Sequence, residues 1–189
     1  MGYESVGGVG EVIVVSGPPG AGKSTVAKAL ADAYEPSVLV VGDDFFAFLA
    51  RGRLDPWLPD ADAQNQSVLS AAAAACGRLA ERFTVVYDGV LWPPYAALFA
   101  TAAGRAFHYA LLLPPLEVCL ERVRDRSDHP FSDRIAAMDM WRSFDSTKGS
   151  LPTLDALDPP DEVVAEIVPD SSRAASYVPP ADWTFDGLA

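Results

Sequence analysis

The sequence predicts an α/β fold, a parallel β-sheet with helices on both faces in a three-layer sandwich, and three observations carry that reading. Short, largely apolar and β-branched runs at 12–15, 38–41 and 84–87 have the length of strands buried on both faces. Segments with helical spacing separate them, so each connection is a crossover that returns the chain to a parallel sheet. The three runs lead into polar residues, Gly17 to Ser24, Asp43-Asp44 and Asp88, on the edge where such sheets bind their ligands.

Taken in order, residues 1–10 are glycine-rich and read as a loose tail, and one domain is expected over 11–168. A first strand spans 11–16. Gly17 to Ser24 then fit G-x-x-x-x-G-K-[ST] at every fixed position, and a helix follows to about residue 34, where Glu35-Pro36 breaks it. Glycines at these positions let successive amides of Gly17, Pro18, Pro19, Gly20, Ala21, Gly22, Lys23, Ser24 and Thr25, proline excepted, converge on phosphate oxygens at a helix N-terminus. Lys23 would neutralise charge between the β- and γ-phosphates, and the Ser24 hydroxyl would ligate Mg²⁺. The expected cofactors are a nucleoside triphosphate, read as ATP with GTP open, and Mg²⁺.

After the strand at 38–41 come a short helix over 45–51, a loop at 52–59 holding Trp57, and a long helix over 62–82 through the alanines at 71–75. The strand at 84–87 ends in Asp88-Gly89. Pro93-Pro94 then precede a helix over 95–103, a strand over 106–113 and a helix over 116–126. A polar break at 128–133, a helix over 135–144, a short strand within 151–157 and a helix over 161–167 behind Pro159-Pro160 complete the domain. Residues 169–189, rich in Pro, Ser and Asp, read as an irregular tail.

Composition bounds the function. At 189 residues, half of them hydrophobic, the chain suits one domain with a well-buried core. A net charge of −12 disfavours nucleic acid or an anionic membrane as the main partner. Cys76 and Cys119 lie far apart in apolar segments and read as reduced core residues. No basic-then-apolar leader opens the chain and no apolar run reaches membrane-spanning length, so the expected location is the cytoplasm, as a monomer or homodimer.

The phosphate loop between strand and helix, the second strand ending in Asp, and the later arginine-rich helix and break together resemble the small P-loop kinases. The likeness points to the group containing chloramphenicol phosphotransferase and the zeta-type toxin kinases, over roughly 11–168. The resemblance implies a catalytic base just after the second strand, which is Asp43, or Asp44 beside it. It implies that Asp88 lies near Mg²⁺, and that arginines of a lid at about 124–134 meet the transferred phosphoryl group, with Arg122, Arg126 and Arg134 as matches. Arg122 and Arg126, four apart, share a helix face, and Arg124 points elsewhere. The segments Asp43-Asp44-Phe45-Phe46 and Asp55-Pro56-Trp57-Leu58-Pro59 depart from the substrate signatures of gluconate, shikimate and adenylate kinases.

Phosphoryl transfer asks for positioning, charge neutralisation and a proton acceptor for the attacking hydroxyl. Asp43 would supply the last; its structural alternative is a helix N-cap, to which Asp44 is the better suited. Asp88 is either a metal neighbour or an Asp-Gly turn. Phe45, Phe46, Phe48, Trp57, Trp92 and Tyr95 divide between core and an acceptor wall, and Gln64 and Asn65 between hydrogen bonding there and a solvated helix start. Leu157-Asp158-Pro159-Pro160 is placed by position for contact with the base. The expected activity is transfer of the γ-phosphate of ATP to a small-molecule hydroxyl of antibiotic-like, nucleoside or sugar type. The alternatives are a nucleotide-dependent switch with little transfer and, against the charge, a polynucleotide 5′-kinase.

Overall fold

The structure, a computed structural model, describes residues 10–125, 133–147, 153–167 and 176–177. Five strands, β1 (Val12–Ser16), β2 (Ser37–Val41), β3 (Thr84–Asp88), β4 (Phe107–Leu112) and β5 (Thr153–Leu154), form an all-parallel sheet in the order β2-β3-β1-β4-β5. Seven helices join or follow them: α1 (Lys23–Asp32), α2 (Gly42–Ala47), α3 (Asp62–Leu79), α4 (Ala96–Ala103), α5 (Leu116–Arg124), α6 (Arg134–Asp145) and α7 (Pro160–Ile167).

Alternate side chains of a strand face opposite sides, which divides the core in two. Val12 and Val14 of β1, with Val85, Tyr87, Phe107 and Leu111, pack against α3 and α4. Ile13 and Val15, with Val86 and Leu112, pack against α1 and α7. Every residue of β1 is buried, so helices cover both faces of the strand that leads into the phosphate loop. Each fully buried valine or isoleucine there contributes roughly 1.5–3 kcal/mol, which makes β1 a rigid platform for that loop.

The register matters most for function. Asp88, the last residue of β3, lies opposite Val15 of β1 on one side and Val41 of β2 on the other. The ends of three strands therefore meet on one edge, with the chain reversing its direction of growth across the sheet at β1.

The structure moves some boundaries. The tail expected at 169–189 contains a sixth strand, β6 (Ser176–Tyr177), which pairs antiparallel with β4 at Phe107 and His108. It covers the stretch of the β4 edge that the two-residue β5 leaves open, since β5 reaches only Leu111 and Leu112. Gly10, assigned to the loose N-terminal tail, is part of the domain: its carbonyl accepts a 2.8 Å hydrogen bond from Arg105. The helix expected over 45–51 starts earlier, at Gly42, and ends at Ala47. Cys76 and Cys119 are both free and buried. Among the described residues no helix is long and apolar enough to cross a membrane.

Candidate active site

The phosphate loop is pressed against the neighbouring strand and helix. Gly20 shows why glycine is needed: its φ is +81°, and a side chain would sit 2.9 Å from the Cys119 Cα of α5. Gly17 likewise leaves no room beside the Leu112 carbonyl at the end of β4. Pro18 closes the loop, its carbonyl accepting from the Ala21 amide at 3.2 Å and from the Lys23 ammonium at 3.0 Å. Gly22, left-handed at φ +95°, leads into α1, and no side chain caps that helix. Ser24 and Thr25 stand exposed at its start. Ser16 anchors the platform: its hydroxyl donates to the Leu91 carbonyl and accepts from the Leu91 amide, both at 2.9 Å.

Asp43 and Asp44 occupy the first turn of α2 and are exposed. The N-cap is Val41 with no side-chain capping bond, so the capping alternative for either aspartate is a correction: neither caps. Carboxylates in a first turn complement the partial positive charge of the exposed amides there. Position 42 needs glycine because the phenol end of Tyr87 fills the space a side chain would need. A Cβ at Gly42 would lie 2.9 Å from Tyr87 Cζ, and one at Gly89 2.8 Å from it. Burial pushes the Tyr87 phenol well above its ordinary range, and Cys76, Asp43 and Asp88 add to the shift. Asp88 is buried at the end of β3.

Of the arginines, the half-buried Arg122 reaches the phosphate loop. Its guanidinium lies 3.4 Å from the Gly20 carbonyl and 3.5 Å from that of Ala21, and its other arm 3.4 Å from the Ala156 carbonyl. The 157–160 segment proposed for base contact therefore begins beside this arginine. Arg124 turns away to Asp125 at 2.8 Å and Glu121 at 3.4 Å, as its helix position implies. Arg134 opens α6, exposed, behind the N-cap Asp133, which accepts from the amides of Ile135 and Ala136. Arg126, and with it most of the lid expected at 124–134, lies outside the described residues.

Across the edge, residues 48–58 form a loop strapped to α3. Gln64 exchanges two hydrogen bonds with the Leu54 backbone, 2.8 and 2.9 Å, and Asn65 donates to the Pro56 carbonyl at 2.7 Å. Both alternatives for these two residues are thereby replaced: they hold the loop. Tyr95 donates to Asp62, which also accepts from Gln66 at 2.7 Å. Asn65 Oδ1 and Trp92 Nε1 are enclosed without a hydrogen-bond partner.

A family described as AAA domain matches residues 12–147. The chain belongs to this family. No curated protein matches the sequence. Among solved structures, the tunicamycin resistance protein of Deinococcus radiodurans aligns at TM-score 0.61 and 19% identity, over 84% of this chain and 93% of its own. A gluconokinase from Sinorhizobium meliloti 1021 aligns at 0.62 and 22%, over 83% and 88%. Shikimate kinase from Acinetobacter baumannii, in complex with shikimate, aligns at 0.59 and 16%, over 84% and 90%. The AAA-domain chain thus has the α/β fold of the P-loop kinases.

The loop residues present in this family member fit the phosphates of a nucleotide. The loop is held open by close backbone packing that a Cβ at Gly17 or Gly20 would break, and the uncapped helix start presents Lys23 and Ser24 to it. Sequence reasoning missed Tyr87, the anchoring of Ser16 to Leu91 and the bond of Tyr95 to Asp62. A phenol and a hydroxyl inside otherwise apolar strands were the available signal, since buried polar groups need a local purpose.

Proposed function

We propose that the protein is an ATP- and Mg²⁺-dependent kinase that transfers the γ-phosphoryl group to the hydroxyl of a small molecule, with Asp43 as the general base. The observation that supports it is the register at Asp88, which sets the ends of β1, β3 and β2 side by side, Asp43 following directly on the end of β2. A switch needs no carboxylate there; a hydroxyl nucleophile does. The structural neighbours named as gluconokinase and shikimate kinase support the same chemistry.

In this reading bound ATP supplies the phosphoryl group, and its Mg²⁺ shares the phosphate charge. The chain does the rest. The loop amides and Lys23 would hold the phosphates, and Ser24 and Asp88, the latter at the end of β3, would hold the metal. Arg122 steadies the loop and nucleotide from α5, and Arg126 and Arg134 meet the transferred group. Asp43 takes the acceptor's proton, and Asp44 remains exposed beside it. The two buried free thiols suit a reducing compartment such as the cytoplasm.

The test is acceptor-stimulated ADP release over a panel of hydroxylated compounds, with the phosphate ester identified by phosphorus NMR. A compound that raises ADP release and emerges phosphorylated is the expected result. ATP binding with no ester from any compound would contradict the reading.

A further inference from the structure

The chain leaving β3 crosses the end of β1 before it reaches α4, and one residue of that crossing is held from two strands. Leu91 is fully buried, and its amide and carbonyl are both bonded to one hydroxyl. Ser16 Oγ accepts from the amide and donates to the carbonyl, each at 2.9 Å. The hydroxyl of Tyr109, on β4, is a second donor to the same carbonyl. Nearer to β3, the Gly89 amide donates to the Val15 carbonyl at 3.3 Å. Since β1 lies between β3 and β4, these bonds tie segment 89–92 to both strands beyond the one it leaves.

The choice of residue at position 16 is informative. The rest of β1 is Val-Ile-Val-Val, and a fifth apolar side chain would have continued the core. A serine with 0% exposure stands there instead, directly before Gly17, the first residue of the phosphate loop. Tyrosines and cysteines aside, Ser16 and Asp88 are the polar residues buried among those described, and the bonds through Leu91 join the two segments they belong to. Val90 and Trp92 add packing against the core, but apolar packing is non-directional. Direction comes from hydrogen bonds, and Trp92 Nε1, the one polar side-chain atom of 89–92, is enclosed without a partner.

We propose that Ser16 and Tyr109 are positioning residues: acting through Leu91, they lock the segment that follows Asp88 to the strand that carries the phosphate loop, and so fix the spacing between bound phosphates and the end of β3. The inference rests on the kinase reading for its effect on transfer, whereas the lock itself is measurable without turnover. Neither hydroxyl takes part in the chemistry. Nucleotide binding does not depend on the lock, because the phosphate loop has its own supports: Gly17 against Leu112, Gly20 against Cys119, and Arg122. The lock governs the far side of the gap, where a misplacement of about 1 Å can cost on the order of 10²-fold in rate.

The experiment uses the whole chain and its Ser16→Ala and Tyr109→Phe variants, with MgATP and water as the phosphoryl acceptor. It reads phosphate release, the KM for ATP, and amide hydrogen exchange without nucleotide. Ser16→Ala should lower kcat by about 10-fold and leave the KM for ATP within about twofold of wild type, while Tyr109→Phe, losing one of two donors, should lower kcat by roughly threefold. Both hydroxyls act on one carbonyl, so the double variant should lose less than the product of the single losses. Exchange should quicken at Gly89 and Leu91 in both variants, with the amides of α1 keeping wild-type rates. Unchanged kcat in both variants, with only the unfolding midpoint lowered, would reduce the bonds to fold stabilisation and overturn the proposal. So would a KM for ATP that rises as much as kcat falls, or wild-type exchange at 89–92. Should Ser16→Ala not fold, Tyr109→Phe, which keeps its ring, decides by the same criteria. Faster exchange at 89–92 in a protein that turns over ATP with neither water nor any hydroxylated compound would leave the lock standing and overturn the kinase reading instead.

Discussion

The two sides of the site are built by different means. On the nucleotide side, backbone shapes backbone: Gly20 against the Cys119 Cα, Gly17 against the Leu112 carbonyl, Pro18 bonded to Ala21 and Lys23. On the side proposed for the acceptor, side chains hold a loop from outside, with Gln64 and Asn65 as straps and Phe48 and Leu58 left in water. The first arrangement fixes a geometry that every nucleoside triphosphate shares. The second leaves surface chemistry as the variable, and an acceptor is recognised by surface chemistry.

Predictions sharpen this division by removing one element from each side. Lys23→Ala should cut turnover by about 10²–10³-fold, the worth of a donor to developing phosphate charge, with the fold unchanged by circular dichroism. Turnover within threefold of wild type would detach the loop from the chemistry. Arg122→Ala, which removes charge-assisted contacts at the loop, should raise the KM for ATP by roughly 10–100-fold and leave the acceptor KM nearly untouched. An equal rise in both constants would erase the boundary between the sides.

Gly42→Ala sits on that boundary, because the new methyl group meets the Tyr87 ring. Overpacking of this kind costs roughly 1–3 kcal/mol, so denaturant unfolding should shift by that amount and kcat should fall more than either KM. An unshifted unfolding midpoint would mean that α2 can move away from β3 freely.

The smallest effect concerns the thiols. Burial pushes Cys76 up to about 12 and Cys119 up to about 11, against 9.0 for an open thiol, although Arg122 and Lys23 pull Cys119 back down. Both folded-state values are raised, so their contribution to stability is complete below pH 9 and is lost as pH climbs through 11 to 12. Titration with a thiol reagent at pH 8 should find neither cysteine until denaturant is added. Rapid reaction of one thiol in the folded protein would place an opening beside it.

How much of this was legible follows the same division. The phosphate loop and the strands around it could be read because local rules write them: glycines at fixed spacing, β-branched runs, helical periodicity. The start of α2 could not. The helix begins at Gly42, where Tyr87, distant in sequence, leaves no room for a side chain, and no local pattern records that contact. Gln64 and Asn65 look like a solvated helix start until Leu54 and Pro56 are seen against them. The two residues of β6 are too few to show periodicity within a Pro- and Ser-rich tail, and only the open edge of β4 explains their pairing. The convergence of Asp43 and Asp88 on the loop is an expectation drawn from strand ends, to which the register adds that Asp88 lies opposite Val15 and Val41.

The central claim is that a carboxylate at Asp43 accepts the acceptor's proton, and the direct measurement compares Asp43→Asn with Asp44→Asn for acceptor phosphorylation and ATP affinity. The account predicts that Asp43→Asn binds ATP as wild type does and loses about 10²–10⁴-fold in phosphate transfer, the range for a general base. Asp44→Asn, altering an exposed carboxylate that caps nothing, should lose less than tenfold, within the range of a screened surface charge. Wild-type transfer by Asp43→Asn, or the large loss falling on Asp44→Asn instead, would contradict it.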